Sequence, residues 1–79
     1  MSIEIREGAD LGTAVALGRT AAGITQQQLG DQVGLSAGYV SKIESGRTVS
    51  LLEHELRMLR RLGATVTVHF SEPGVERGG

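Results

Sequence analysis

A chain of 79 residues has room for one small domain, since either half of a divided chain would bury too little to hold a core. It contains no cysteine, and His54 and His69 stand alone, so no disulfide or zinc set can reinforce that core and a partner chain is the expected source of added stability. The net charge of −1 excludes a uniformly basic surface, yet Glu4, Glu7, Asp10, Glu72 and Glu76 lie near the ends, and the stretch from Arg19 to Arg61 is left mildly basic.

Residues 1–9 read as a polar arm in which the alternation of Ile3 and Ile5 allows a brief strand. The first residues lack the basic and apolar regions of a secretion signal, and no apolar run approaches the roughly 20 residues that cross a bilayer. A cytoplasmic protein with no membrane partner is the expectation. From Asp10 to Ala22, Leu11, Ala14, Val15, Gly18, Ala21 and Ala22 recur at helical spacing, and Gly23 is the stop. Thr25 caps a second helix, with Gln28 three residues on completing a capping box, and this helix carries Leu29 and Val33 to an end at Gly34. After the turn Gly34-Leu35-Ser36, Ser36 caps a third helix that reaches about Ser45, with Tyr39, Val40 and Ile43 as its larger apolar members. Ser50 and Glu53 repeat the capping-box pattern and predict a fourth helix through Leu62, on which Leu51, Leu52, Leu56, Met58, Leu59 and Leu62 make a broad apolar face. The period then changes. Thr65 to Phe70 alternates, with Val66, Val68 and Phe70 on one side of a strand that Pro73 ends, and the last residues read as a frayed tail.

Function concentrates between Gln26 and Ser45. Leu29, Val33, Leu35, Val40 and Ile43 stand where two short crossing helices seal each other's inner faces. Gly30 is small where those helices approach, and Gly34 tolerates positive φ at the turn. Several separate steric demands are met in one window. The segment resembles the Xre/Cro family of helix-turn-helix regulators, the fold of the lambda-type repressors. The residues that carry the likeness are Gly23-Ile24-Thr25-Gln26-Gln27-Gln28-Leu29-Gly30, Val33-Gly34-Leu35-Ser36 and Val40-Ser41-Lys42-Ile43-Glu44-Ser45-Gly46, and it extends over about residues 10–62.

The resemblance implies a mainly α fold, a four-to-five-helix lambda-repressor-like domain followed by one short C-terminal strand that pairs across a dimer. It divides the chain into an arm at 1–9, a DNA-binding domain at 10–62, a dimerisation strand at 63–71 and a flexible tail at 72–79. It implies an ion pair between Arg19 and Glu44 that fixes the first helix against the third. Base edges fall to Ser36, Ala37, Gly38, Ser41 and Lys42, with Lys42 able to donate to guanine and Ala37 to touch a thymine methyl. Gln26, Tyr39 and Arg47 are its phosphate contacts, and Lys42 can add another. Against these stand plainer roles: Arg47 as a solvated loop charge, Tyr39 as packing at a helix end. Ala37 and Gly38 offer no side-chain hydrogen bonds, so one copy reads bases poorly, and DNA shape or a second copy must contribute.

A lone strand cannot satisfy its own backbone groups. Its partner is either the same strand of a second protomer, carried by Val66, Val68 and Phe70, or the arm Ser2–Arg6 of either chain. Self-pairing is preferred because it also supplies burial, and its two-fold matches an inverted-repeat operator. A unit of this kind followed by a short strand resembles antitoxins of the HipB type, which implies a repressor of its own operon and a HipA-like kinase toxin as partner. The alternatives are a stand-alone phage-type Cro regulator and a helix-turn-helix used only to bind protein. No nucleophile–base spacing and no phosphate-binding glycine loop is present, so neither catalysis nor a cofactor or metal is expected.

Overall fold

The computed structural model of the chain describes residues 1–71, so the expected tail at 72–79 and the strand stop at Pro73 lie outside the described residues. In chain order the elements are β1 (Ser2–Ile5), α1 (Gly8–Ala22), α2 (Gln26–Val33), α3 (Ala37–Glu44), α4 (Ser50–Arg61) and β2 (Val66–His69). Among the described residues the fold is mainly helical, with four helices and one two-stranded sheet. No helix among them is long and apolar enough to cross a membrane.

Local chemistry explains where the helices begin. α1 starts at Gly8, ahead of the expected Asp10, because the Asp10 carboxylate accepts from the Arg6 N–H at 2.8 Å and the Glu7 N–H at 3.0 Å and so binds the backbone donors that precede the helix. At α2 the Thr25 Oγ1 accepts from the Gln28 N–H at 3.0 Å, and the Gln28 side chain accepts from the Thr25 N–H at 2.8 Å. That is the reciprocal box the sequence predicts. Gly34 ends α2 with φ 78°, a conformation that side chains with a Cβ rarely adopt. The Ser36 Oγ then accepts from the Tyr39 N–H at 3.1 Å to open α3.

The box expected at Ser50 and Glu53 does not form. Val49 is the cap and has no side-chain capping bond, and Ser50 is already helical. The Glu53 carboxylate instead accepts from the Gly8 N–H at 2.9 Å in a partly buried setting. A free amide at the start of α1 needs an acceptor, and a carboxylate makes the stronger bond to it. Glu53 therefore ties the start of α1 to α4 rather than capping its own helix.

The sheet closes the chain on itself. β1 and β2 are antiparallel, with Ser2 opposite His69, Ile3 opposite Val68, Glu4 opposite Thr67 and Ile5 opposite Val66. Of the two partners open to the C-terminal strand, its own N-terminal arm takes one edge. The core follows from this pairing: Ile5, Ala14 and Leu56 are buried, and Ile3, Leu11, Leu52, Val66, Val68 and Phe70 pack around them. The arm and the strand are thus built into the same core as the helices, and Val66, Val68 and Phe70 turn inward within one chain. The Phe70 N–H donates to the Met1 carbonyl at 2.9 Å, which sets the alternation of the ladder. Ile3–Val68 and Ile5–Val66 are the hydrogen-bonded pairs, and the backbone groups of Thr67 and His69 point to the outer edge.

α4 divides sharply. Leu56 is buried and Leu52 half-buried, while Leu51 is 70% and Leu62 81% exposed, and Met58 and Leu59 are exposed with them. Only one side of the broad apolar face meets this protomer's core.

Candidate nucleic-acid interface

α3 shows two contrasting sides. Val40, at 2% exposure, is among the most buried residues of the chain, and Ile43 and Glu44 are half-buried beside it. Ser41 and Lys42 are exposed on the far side, and Arg47 is exposed just beyond the helix end. Lys42 and Arg47 form no ion pair among the described residues. Ser36 and Gly38 are exposed at the N-terminal end, Ala37 is half-buried, and Tyr39 is 52% exposed. Ser36 already spends its oxygen as acceptor for the Tyr39 N–H, and its hydroxyl proton is left to donate.

The inner side is held by charge. Arg19 Nε lies 2.7 Å from one Glu44 oxygen, and another guanidinium nitrogen lies 3.0 Å from the second oxygen. The remaining nitrogen donates to the Ile24 carbonyl at 2.9 Å. This planar fork binds α1, the α1–α2 connection and α3 together. The Glu44 side chain is 7% exposed and that of Arg19 19%. The hydrogen bonds from Arg19 hold the Glu44 carboxyl below its usual range, with the Gln26 amide adding to the effect, and the same contact raises Arg19.

Gln26 makes a contact the sequence does not reveal. Its Nε2 donates to Glu44 at 3.0 Å, so the residue at the start of α2 is positioned by the α1–α3 ion pair. One amide N–H remains for an outside acceptor. Two glycines also carry more than periodicity shows. A Cβ on Gly30 would lie 2.3 Å from the Leu35 carbonyl oxygen, and one on Gly12 would lie 2.0 Å from the carbonyl oxygen of Ile43. Gly30 was legible as a small residue between crossing helices; Gly12 gave no such signal. Among the described residues, no group of three or more His, Asp or Glu gathers as a metal site.

The arrangement is a pair of short helices locked from behind, with a row of hydrogen-bonding and cationic groups facing out. The family profile of the helix-turn-helix domain matches residues 10–69. No curated protein and no solved structure matches the chain.

Proposed function

This chain belongs to the helix-turn-helix domain family and is in general terms a DNA-binding regulator; we propose that it is a sequence-specific repressor whose two copies act on an inverted-repeat operator. The observation that carries this reading is the exposed row of Ser41 and Lys42 on the side of α3 away from buried Val40, with Arg47 just beyond the helix end, the two cations being without an ion-pair partner among the described residues. In the proposed complex, α3 enters the major groove. Lys42 donates to a guanine edge with Ser41 beside it, and Ser36, Ala37 and Gly38 approach the neighbouring bases. Arg47, Tyr39 and the free N–H of Gln26 bind phosphates and set the register.

Lys42→Ala is expected to weaken operator binding about tenfold or more and to relax preference at one base pair. Arg47→Ala should weaken all duplexes alike and flatten the salt dependence by about two units, one for each copy of the dimer. Anisotropy titrations against operator and scrambled duplexes check both. If neither change alters binding, the docking is wrong.

The dimer reading rests on the sheet. Among the described residues no strand pairs with the outer edge of β2, at Thr67 and His69, and this edge suits antiparallel pairing with the same edge of a second copy, which would place two α3 helices about 34 Å apart or a multiple of it. Thr67→Pro removes an N–H that points away from β1 and leaves the β1–β2 ladder its donors. It should shift the protein toward monomer in sedimentation with little change in helical content. A variant as dimeric as the parent would overturn strand pairing.

The position of this strand after α4 supports the narrower proposal of a HipB-type antitoxin that represses its own operon and binds a HipA-like kinase toxin. A purely protein-binding role is favoured by one feature, the absence of hydrogen-bonding side chains at Ala37 and Gly38. Salt-dependent binding to DNA separates the two.

A further inference from the structure

Every glycine among the described residues except one has a reason inside the chain. Some sit in turns at positive φ, as Gly34 does at 78°. The others leave no room for a side chain: a Cβ on Gly12 or Gly30 would strike a backbone carbonyl oxygen, and one on Gly18 would come within 2.5 Å of the Phe70 ring. Gly38 has neither reason. Its φ is not positive, and a Cβ there would find only the Ser36 hydroxyl oxygen, 4.0 Å away. It stands exposed inside α3, where glycine weakens a helix relative to alanine. Ser41 and Lys42 follow it by three and four residues, one turn on and on the same face, and both are exposed. The Lys42 side chain does not come within 4 Å of the open space.

Resting on the reading that α3 enters the major groove, we infer that Gly38 is a specificity-determining residue whose bare backbone receives a thymine methyl, one or two base pairs from the guanine that Lys42 contacts. The spacing follows from geometry. Positions one turn apart on a helix are separated by about 5–6 Å, against about 3.4 Å between successive base pairs. The methyl follows from chemistry. Every other group that a base edge projects into the major groove is a hydrogen-bond donor or acceptor, and it would lose its water against a wall that cannot replace it. Gly38 is such a wall: the N–H groups of a helix point along its axis, so its outer face is a bare Cα. Ala37 beside it is half-buried and adds only a methyl. A thymine methyl needs no polar partner, and it fits the place that a Cβ would otherwise take.

A cycle of two changes tests this, read by anisotropy on duplex DNA from upstream of the coding region, with each thymine of a half-site replaced in turn by deoxyuridine, which lacks only the methyl. At one position the replacement should weaken the parent about fourfold, the scale of one buried methyl. Gly38→Ala should raise the melting temperature, because alanine is the better helix former and nothing in the chain obstructs it. The same variant should bind the thymine duplex at least about tenfold more weakly, since the added Cβ meets the methyl. On the deoxyuridine duplex it should recover and bind as well as, or better than, on thymine, because the two changes share one space. A parent that binds no duplex would overturn the DNA-binding reading and this inference together. A parent that binds, with every thymine replaceable at no loss, would overturn the inference alone, as would a Gly38→Ala variant that binds like the parent. Equal weakening of operator, deoxyuridine and scrambled duplexes by Gly38→Ala would also overturn it, since sugar and phosphate would then lie against Gly38.

Discussion

Glu44→Ala is expected to destabilise the fold by about 2–3 kcal/mol, the scale of lost hydrogen bonds to a charged group, and to abolish specific DNA binding well below the melting point. The carboxylate receives Arg19 at 2.7 and 3.0 Å and Gln26 at 3.0 Å. Removing it leaves the Arg19 guanidinium without its counter-charge in a half-buried site, and truncating one partner of such a pair costs more than the pair itself contributes. It also frees α3 from α1 and releases Gln26 at the start of α2. Thermal melts and operator titrations of the same preparation check both effects.

The same contact has a pH signature. Because the Arg19 hydrogen bonds keep folded Glu44 below its ordinary value, the unfolded chain binds the proton more readily. Its stabilising contribution is therefore complete above about pH 5, somewhat above the ordinary glutamate value of about 4.3, and is lost as pH falls through the lower folded value. Asp10 acts in the same direction, lowered chiefly by the Glu7 amide and then by that of Arg6. In Glu44→Gln the fall in melting temperature between about pH 5 and pH 3 should be shallower than in the parent.

Gly12→Ala is the second change with a large expected effect, about 3 kcal/mol of destabilisation. The added methyl would meet the Ile43 carbonyl oxygen at 2.0 Å and its carbon at 3.1 Å. These are backbone atoms of α3, which cannot turn aside as a side chain can, so α1 and α3 must separate. Overpacking of this kind costs about 1–3 kcal/mol and occasionally more. It exceeds the roughly 1 kcal/mol of helix propensity that alanine returns. Denaturant unfolding measures the difference. A variant as stable as the parent would mean that α1 and α3 are not in backbone contact at this point.

Much of the helical frame was legible because helix caps and apolar spacing are local. Thr25 with Gln28, Gly34 at the turn and Ser36 before α3 are all settled within a few residues of chain. What failed was non-local. Ser50 and Glu53 have the spacing of a box, but an unsatisfied amide 45 residues away, at Gly8, holds Glu53. Ile3 and Ile5 alternate, and so do Val66 and Val68, yet alternation states which side chains share a face and says nothing of which edge they meet. For α4 the period located an apolar face, but a six-residue set cannot show that only Leu52 and Leu56 reach the core. The contact between Arg19 and Glu44 came into view only through resemblance, because 25 residues separate them. Gly12 and Gly18 looked like ordinary small residues in a helix; the backbone and ring they touch belong to other elements.

The placement of α3 against DNA is tested most directly by how the affinity of the unmodified protein for duplex DNA from upstream of its own coding region changes with salt. Four cations in a dimer, Lys42 and Arg47 from each copy, should release enough counterions to weaken binding roughly a hundredfold between about 50 and 200 mM salt. Binding that is insensitive to salt, or absent even at the lowest ionic strength, would contradict the placement of α3 against DNA.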